Sequence, residues 1–195
     1  MKEMWNQRYS RDEYVYGIHP NIFFKKSIDI IRPGKLLLPA EGEGRNAVYA
    51  AGQNWAVQAF DFSTKAREKA MRLAAQNNVS IEYAIHNMET AEYEKESFDV
   101  LAFIYTHNPN RQNNHRKLLS FLKPGGTIIL EAFSKAQIHH GTGGPKDINM
   151  LYSAEELTAD FAGLSSLEVW EEEVILEEGG FHSGKSALIR LLGKK

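Results

Sequence analysis

The strongest structural signal in the chain is the stretch Lys35-Leu-Leu-Leu-Pro-Ala-Glu-Gly-Glu-Gly-Arg-Asn-Ala-Val-Tyr-Ala-Ala-Gly52. A short apolar run, Leu36–Leu38, stops at a glycine-rich turn, and a helical pattern follows at once. Gly42 and Gly44 allow the backbone to bend sharply and leave no Cβ between the main chain and a ligand. The first turn of the helix behind them should present unpaired N–H groups and a partial positive charge. A strand, a glycine turn and a helix N-terminus in this order predict a cradle for a nucleotide-type cofactor.

The next apolar run, Trp55–Ser63, predicts a second strand that delivers an acid, Asp61, at its carboxyl end. An acid in this place can accept hydrogen bonds from both ribose hydroxyls of an adenosine. The alternative is that Asp61 only forms a turn that caps the next helix. Because the acid follows a strand beside a glycine turn, we expect the ribose role.

Apolar runs alternate with helical patterns along most of the chain. The predicted strands are Lys35–Leu38, Ala56–Asp61, Ile81–His86, Phe98–Tyr105 and Gly126–Phe133, and the predicted helices are Arg45–Ala51, Thr64–Asn77, Arg111–Leu122 and Ala154–Phe161. Ser153 and Glu156 have the spacing of a capping box at the start of the last helix. This alternation predicts a doubly wound α/β fold with a parallel sheet. Two further strand-like runs, Ser166–Glu178 and Lys185–Leu192, are joined by too few residues for a crossover helix and should pair antiparallel.

Composition narrows the classes of function. A length of 195 residues with 43% hydrophobic and 25% charged residues is ordinary for one globular domain, and we expect a single domain spanning 1–195. The formal net charge of −2 gives no electrostatic reason to expect nucleic acid or an anionic membrane as a partner. With zero cysteines there are no disulfides or thiolate metal sites, and the seven histidines show no zinc-motif spacing, so no metal is expected. No apolar segment resembles a signal peptide or membrane span, and a cytoplasmic location is expected.

Two other functions are compatible with the glycine turn. The segment Gly42–Ala47 also satisfies G-x-G-x-x-A, which is typical of NAD(P)-binding oxidoreductase domains. The closing antiparallel hairpin and the Pro124-Gly-Gly turn that leads straight into a strand count against that assignment. The other alternative is a catalytically silent scaffold that binds a cofactor and acts through a partner.

Taken together, these residues resemble the class I S-adenosylmethionine-dependent methyltransferases. The glycine turn within Gly42–Tyr49 resembles the family's first motif, particularly in the branch of tellurite-resistance and thiopurine methyltransferases. Asp61–Ser63 is similar to the ribose-binding acid, Ser97–Val100 to the start of the fourth strand, and Leu122–Leu130 to the turn into the fifth. The resemblance implies one Rossmann-like domain with a seven-stranded, mostly parallel sheet whose last strand runs antiparallel. It also implies a lid segment with a helix at 1–33 ahead of a core at 34–195, although an aromatic N-terminus can simply pack on the sheet.

The resemblance further implies S-adenosylmethionine as cofactor and a set of residues around it. The expected cofactor-binding residues are Ala40, Glu41, Gly42, Gly44, Asn46, Asp61, Phe62, Asn87, Met88 and Ile104. The chain departs from the family at three of its usual positions. Leu38 and Ala40 stand where an acid and a glycine are usual, with Glu41 near enough to replace the acid. Asn87 stands where an acid usually contacts the adenine.

The methyl acceptor is expected at the carboxyl edge of the sheet, where ligands bind in open α/β proteins. Two glycine-rich loops, 137–145 and 179–184, follow strands at this edge and predict an acceptor pocket for a small molecule. The residues expected there are Tyr16, His140 and Gly143. His107 and His182 are the candidate general bases for a hydroxyl or amine acceptor, whereas a soft S, Se or Te nucleophile needs no base. A histidine at position 107 is equally compatible with a purely structural role in its loop.

Overall fold

Seven strands build the sheet at the centre of the protein. They are β1 (Lys35–Pro39), β2 (Ala56–Asp61), β3 (Glu82–Ile85), β4 (Phe98–Ile104), β5 (Leu122–Phe133), β6 (Ser166–Glu178) and β7 (His182–Lys194). In the computed structural model, which describes residues 2–195, the strand order is β3-β2-β1-β4-β5-β7-β6. The first five strands are parallel, and β7 runs antiparallel to both β5 and β6. The predicted α/β fold with a seven-stranded sheet and an antiparallel last strand is therefore confirmed.

Six α-helices accompany the sheet. They are α1 (Lys2–Tyr9), α2 (Ile22–Ile28), α3 (Arg45–Gly52), α4 (Thr64–Gln76), α5 (Arg111–Leu119) and α6 (Ala154–Asp160). The predicted capping box is present at α6, where the Ser153 side chain accepts from the Glu156 N–H and the Glu156 carboxylate accepts from the Ser153 N–H. No helix among residues 2–195 is long and apolar enough to cross a bilayer.

The central strands are buried on both faces, as their continuous apolar runs predict. Leu36, Leu37 and Leu38 of β1 and the segment Val100–Phe103 of β4 are fully buried. Burying each such leucine or phenylalanine contributes roughly 1.5–3 kcal/mol relative to leaving it exposed. This double burial fixes β1 and β4 as the middle of the sheet, so the loop after each of them reaches the carboxyl edge at its centre.

The start of β5 differs from the prediction. The strand begins at Leu122, four residues before the predicted Gly126, because Leu122 already pairs with Phe98. The register then shifts, and Thr127 pairs with Val100. The Pro-Gly-Gly turn therefore interrupts the ladder with Gly125 at a φ of 74°. For the same reason, α5 stops at Leu119 rather than at the predicted Leu122.

The N-terminal segment contains two helices, α1 and α2, where the resemblance implies a lid segment with a helix. In α1 only Tyr9 is buried, so no apolar stripe marks the helix in the sequence. Helix α1 packs against α4, at the edge of the sheet where β2 ends. Met1, the first residue of the predicted lid, lies outside the described residues.

Candidate functional site

The glycine turn after β1 is built from left-handed backbone conformations. Ala40, Gly42 and Gly44 have φ values of 49°, 65° and 87°. A Cβ at Gly44 would lie 2.6 Å from the Cβ of Ala70, and a Cβ at Gly42 would lie 2.9 Å from the hydroxyl of Tyr9. Both positions therefore require glycine for conformation and for space. Ala40 takes the left-handed conformation at a cost of about 1 kcal/mol, at the position where the resembled family has glycine.

Asp61 lies directly against this turn. Its carboxylate accepts hydrogen bonds from the backbone N–H of Gly42 over 3.3 Å and of Ser63 over 2.8 Å. The side chain is buried, and burial raises the pKa of Asp61 to about 6 even though the N–H donors favour the anion. The fold thus brings the strand-end acid and the glycine turn together, which is the juxtaposition that the ribose role requires.

Glu41 caps helix α3 from within the turn. Its Oε1 accepts from the backbone N–H groups of Asn46 and Ala47, each over 2.8 Å, and its Oε2 accepts from the Asn46 amide over 3.2 Å. Burial raises the pKa of Glu41 to about 7. The free N–H groups that the sequence predicted at the start of α3 are therefore partly taken by Glu41. The sequence does not predict this contact, because a capping side chain normally belongs to the N-cap residue, which here is Gly44.

Tyr83 and Glu43 also hold the turn, and neither was predicted. The Tyr83 hydroxyl donates to the backbone oxygen of Gly42 over 2.6 Å. The Glu43 carboxylate accepts from the backbone N–H of Val15 over 2.7 Å and pairs with the Lys69 ammonium over 2.5 Å. Both charged side chains of this ion pair are buried. The pair connects the turn to α4 and to the N-terminal segment at once.

The N-terminal segment packs over the glycine turn and the end of β2. The Ser63 hydroxyl donates to the Asn6 side chain over 2.6 Å, and the Tyr9 hydroxyl lies against Gly42. The Lys69 ammonium donates to the backbone oxygens of Arg11 and Glu13 over 2.9 and 2.5 Å. These contacts hold α1 and the loop after it over the glycine turn and Asp61.

His107 follows β4, but both of its ring nitrogens are occupied. The backbone N–H of Phe133 donates to Nε2 over 3.1 Å, so Nδ1 carries the proton and donates to the Met150 oxygen over 2.6 Å. Burial lowers the pKa of His107 to about 4. This arrangement leaves no lone pair for a substrate proton, so the geometry does not favour the catalytic role predicted for His107.

His182 occupies a different environment at the start of β7. Its ring lies 4.5 Å from Tyr16, 4.4 Å from Tyr105 and 5.1 Å from Phe133, measured between ring centroids. A Cβ at Gly143 would meet His182 Cδ2 at 3.2 Å, so the 137–145 loop packs on the same ring. Three predicted acceptor-side residues, Tyr16, Gly143 and His182, therefore come together.

A buried cluster of charged and amide groups lies beside His182. The Asn21 amide donates to Glu131 over 2.6 Å and to Glu178 over 3.0 Å. The Arg45 guanidinium pairs with Glu178 over 2.8 Å, and Arg190 pairs with Glu131 over 2.6 Å. No sequence pattern predicts this cluster, because its members are far apart in the chain and belong to five different segments.

Asn46 and Ile104 join the cradle to this cluster. Asn46 accepts from the backbone N–H of Asn21 over 2.9 Å while it donates to Glu41. Ile104, the last residue of β4, is buried and pairs in register with Glu131. The predicted cofactor side and the cluster around Glu131 are therefore continuous.

The remaining predicted residues lie at the periphery. Phe62 is half-buried after Asp61, and Met88 is buried in the loop after β3. Asn87 is exposed, and its side chain accepts from the Thr90 N–H over 2.7 Å. His140 lies 3.3 Å from Glu173 of β6. Among residues 2–195, no three histidine or acidic side chains lie close enough together to hold a metal ion.

Comparison with known proteins bears on the segment that carries the cradle. Residues 39–126 match the family model described as a methyltransferase domain. This segment is similar to methyltransferase domains. It contains the glycine turn, Asp61 and the loop after β4, whereas the N-terminal segment, Glu131 and His182 lie outside the match. No curated protein sequence matches the chain.

Solved structures share the whole architecture at low sequence identity. A protein of echinomycin biosynthesis that converts a disulfide bond into a thioacetal group superposes with a TM-score of 0.77 at 15% identity, over 100% of this chain and 92% of its own. Phosphoethanolamine N-methyltransferase 2 of Haemonchus contortus, solved with phosphomonomethylethanolamine and S-adenosylhomocysteine, gives 0.72 at 16%, over 98% and 60%. TehB of Haemophilus influenzae gives 0.70 at 14%, over 100% and 66%. These similarities establish the fold.

Proposed function

We propose that the protein is an S-adenosylmethionine-dependent methyltransferase that acts on a small-molecule acceptor. The observation that carries the proposal is the contact of Asp61 with the Gly42 N–H, at the same sheet edge as the aromatic-lined His182. The family match over residues 39–126 supports the reaction class. The bound S-adenosylhomocysteine of the Haemonchus enzyme supports the cofactor.

The residues of the cradle fit this cofactor. The left-handed backbone at Gly42 and Gly44 forms a sharp turn against Asp61, and the Asp61 carboxylate suits the two ribose hydroxyls. The other residues that we assign to the cofactor are Ala40, Glu41, Asn46, Phe62, Asn87, Met88 and Ile104. When bound, the cofactor supplies a methyl group that its sulfonium already activates. The chain itself must orient the acceptor and exclude water.

The acceptor belongs on the far side of the cradle from Asp61. Tyr16, Gly143 and His182 would form its wall, with His140 at the rim. We propose the segment 1–33 as a lid over the core at 34–195, supported by the contacts of Ser63 and Lys69 with the N-terminal segment. The proposal also includes a cytoplasmic location and no nucleic-acid partner. These two points rest on composition alone.

His182 suits the role of general base better than His107. The backbone occupies both nitrogens of His107, whereas Nδ1 of His182 has no hydrogen-bond partner within residues 2–195. A soft S, Se or Te nucleophile would need no base, and this acceptor class suits the tellurite-resistance and thiopurine branch. The assignment of the chain to this branch rests on the segment Gly42–Tyr49 alone.

Transfer of labelled methyl groups from S-adenosylmethionine tests the proposal. We expect the labelled methyl group to appear in at least one acceptor from a panel that contains a thiol, a selenide, a phenol, an alcohol and an aromatic amine. Asp61→Ala should reduce that transfer at limiting cofactor. Adenosylhomocysteine binding with no methylated acceptor would favour the silent scaffold, and binding of NAD instead would favour the oxidoreductase domain.

A further inference from the structure

The inference concerns how His182 is held and rests on the proposed function. We propose that Glu178 is a positioning residue for His182, and that the acceptor is a hydroxyl or amine whose proton His182 removes. Glu178 belongs to β6 and His182 to β7, and the residues 179–181 form the turn between them. Neither strand lies within the segment that matches the methyltransferase family.

The geometry of the two side chains supports the pairing. His182 Nδ1 lies 3.8 Å from Glu178 Oε2 and is buried without a hydrogen-bond partner within residues 2–195. The Nδ1–H tautomer directs this proton towards the carboxylate and leaves the lone pair on Nε2. Nε2 is then the nitrogen left to take up a proton from the acceptor. The carboxylate of Glu178 therefore faces Nδ1 of His182 and is placed to accept its proton when the two side chains approach each other.

Glu178 is fixed by groups other than His182. The Arg45 guanidinium holds Oε2 over 2.8 Å, and the Asn21 amide holds Oε1 over 3.0 Å. Burial alone would raise the pKa of Glu178, but the contacts with His182 and Arg45 lower it to about 2. The carboxylate is thus an immobile anion whose position is set by the N-terminus of α2 and by α3.

The surroundings of His182 show why an anion is needed there. The charged groups facing the imidazole are Glu178 from β6, Arg45 from α3 and Arg8 from α1, and the titratable rings around it are Tyr16, Tyr105 and, more distant, His107. Burial lowers the pKa of His182, and both arginines lower it further. Glu178 is the one group among these that favours the imidazolium, so without it a protonated His182 would face two cations.

The lone pair of the acceptor oxygen or nitrogen forms a bond to the methyl carbon, and the carbon–sulfur bond breaks with its pair on sulfur. The proton of the acceptor goes to His182 Nε2, and Glu178 stabilises the imidazolium that results. Thiolate or selenide carries no such proton at neutral pH, so Glu178 would contribute nothing to its methylation.

Ring-labelled histidine spectra of the full chain test the pairing without any acceptor. His182 is assigned with H182Q, and the titration is compared in wild type, E178Q, E178D and E177Q, where Glu177 is the exposed neighbour. We expect the Nδ1–H tautomer at pH 7 in wild type and E177Q. E178Q should lower the proton affinity of His182 at least about threefold, and E178D should largely restore it. If E178Q does not fold, R45Q provides the second test and should raise the proton affinity of His182 by removing a cation.

Adenosylhomocysteine binding in the same variants separates this inference from the proposed function. If wild type does not bind adenosylhomocysteine, the methyltransferase proposal is contradicted, whereas the titration result for Glu178 and His182 is unaffected. An Nε2–H tautomer, or a His182 titration that is the same in wild type, E178Q and R45Q, would overturn the role of Glu178. If an acceptor is found, a turnover loss in E178Q that is equal for a thiolate and a phenol would overturn the assignment of the acceptor class.

Discussion

The carboxylate of Glu41 accepts hydrogen bonds from the backbone N–H groups of Asn46 and Ala47, so an acid within the glycine turn caps the helix that follows it. Gly44 precedes α3 and has no side chain for this purpose. A buried side chain from the turn itself therefore caps α3, and burial raises the pKa of this side chain to about 7. This arrangement gives the first prediction, because an acid buried in this way must respond to pH.

Glu41 and Asp61 should make the stability of the protein depend on pH. Burial raises the pKa of Glu41 to about 7 and of Asp61 to about 6, above the values of the unfolded chain at about 4. The native state then binds more protons than the unfolded state between about pH 4 and 7, so these two groups lower the free energy of unfolding as the pH rises. Urea unfolding of wild type and of the double variant E41Q/D61N between pH 5 and 8 checks this. The free energy of unfolding of wild type minus that of the variant should fall as the pH rises from 5 to 8. A difference that is constant with pH would contradict the prediction.

Asp61→Ala should weaken adenosylhomocysteine binding at least tenfold while the fold is retained. A charge-assisted contact with two hydroxyls is lost, and such a contact contributes about 1.5–3 kcal/mol. Calorimetric titration measures the affinity. Asp99→Ala is the matched control, because Asp99 is also a strand aspartate but pairs with Lys123 and the Lys35 N–H at the opposite edge of the sheet. Unchanged affinity in Asp61→Ala would reduce Asp61 to a helix-capping residue.

His107→Ala should lower the stability of the protein, whereas His182→Ala should lower its turnover. Removing His107 leaves the Phe133 N–H and the Met150 oxygen without their partner, which costs about 1–3 kcal/mol of unfolding free energy. His182→Ala should leave adenosylhomocysteine binding nearly unchanged but reduce turnover of a protic acceptor. Thermal unfolding and calorimetric titration of the two variants check this. Equal destabilisation by both substitutions would show that His182 is also structural.

Lys69→Met should release the N-terminal segment. The Lys69 ammonium holds the backbone oxygens of Arg11 and Glu13 and neutralises the buried Glu43. Limited proteolysis should cut within residues 10–20 faster in this variant than in wild type. Lys65→Met is the control, because Lys65 lies on the same helix but pairs with Glu68 at the exposed surface. The same cleavage rate in both variants would mean that other contacts hold the segment.

The sequence predicted those features that depend on local patterns. The apolar run Leu36–Leu38 predicted a strand, which is fully buried in the sheet, and the short link after Glu178 predicted the antiparallel hairpin. The glycine turn and Asp61 were found because a strand, a sharp turn and an acid follow one another closely. The capping box at Ser153 was found for the same reason.

Contacts between distant segments were not predictable in this way. Glu178 is held by Asn21 and Arg45, from two segments far earlier in the chain, and only the folded sheet brings them together. His107 was assigned to chemistry from its place after β4, whereas its hydrogen bonds to Phe133 and Met150 arise from tertiary packing.

The affinity for adenosylhomocysteine compared with NAD tests the central claim most directly. Binding to the native state raises stability by about 2.7 kcal/mol at a hundredfold excess over the dissociation constant. We expect adenosylhomocysteine to raise the melting temperature of the protein and to give a measurable calorimetric binding curve, both lost or strongly reduced in Asp61→Ala. NAD should produce neither effect. Stabilisation by NAD with none by adenosylhomocysteine would contradict the methyltransferase assignment.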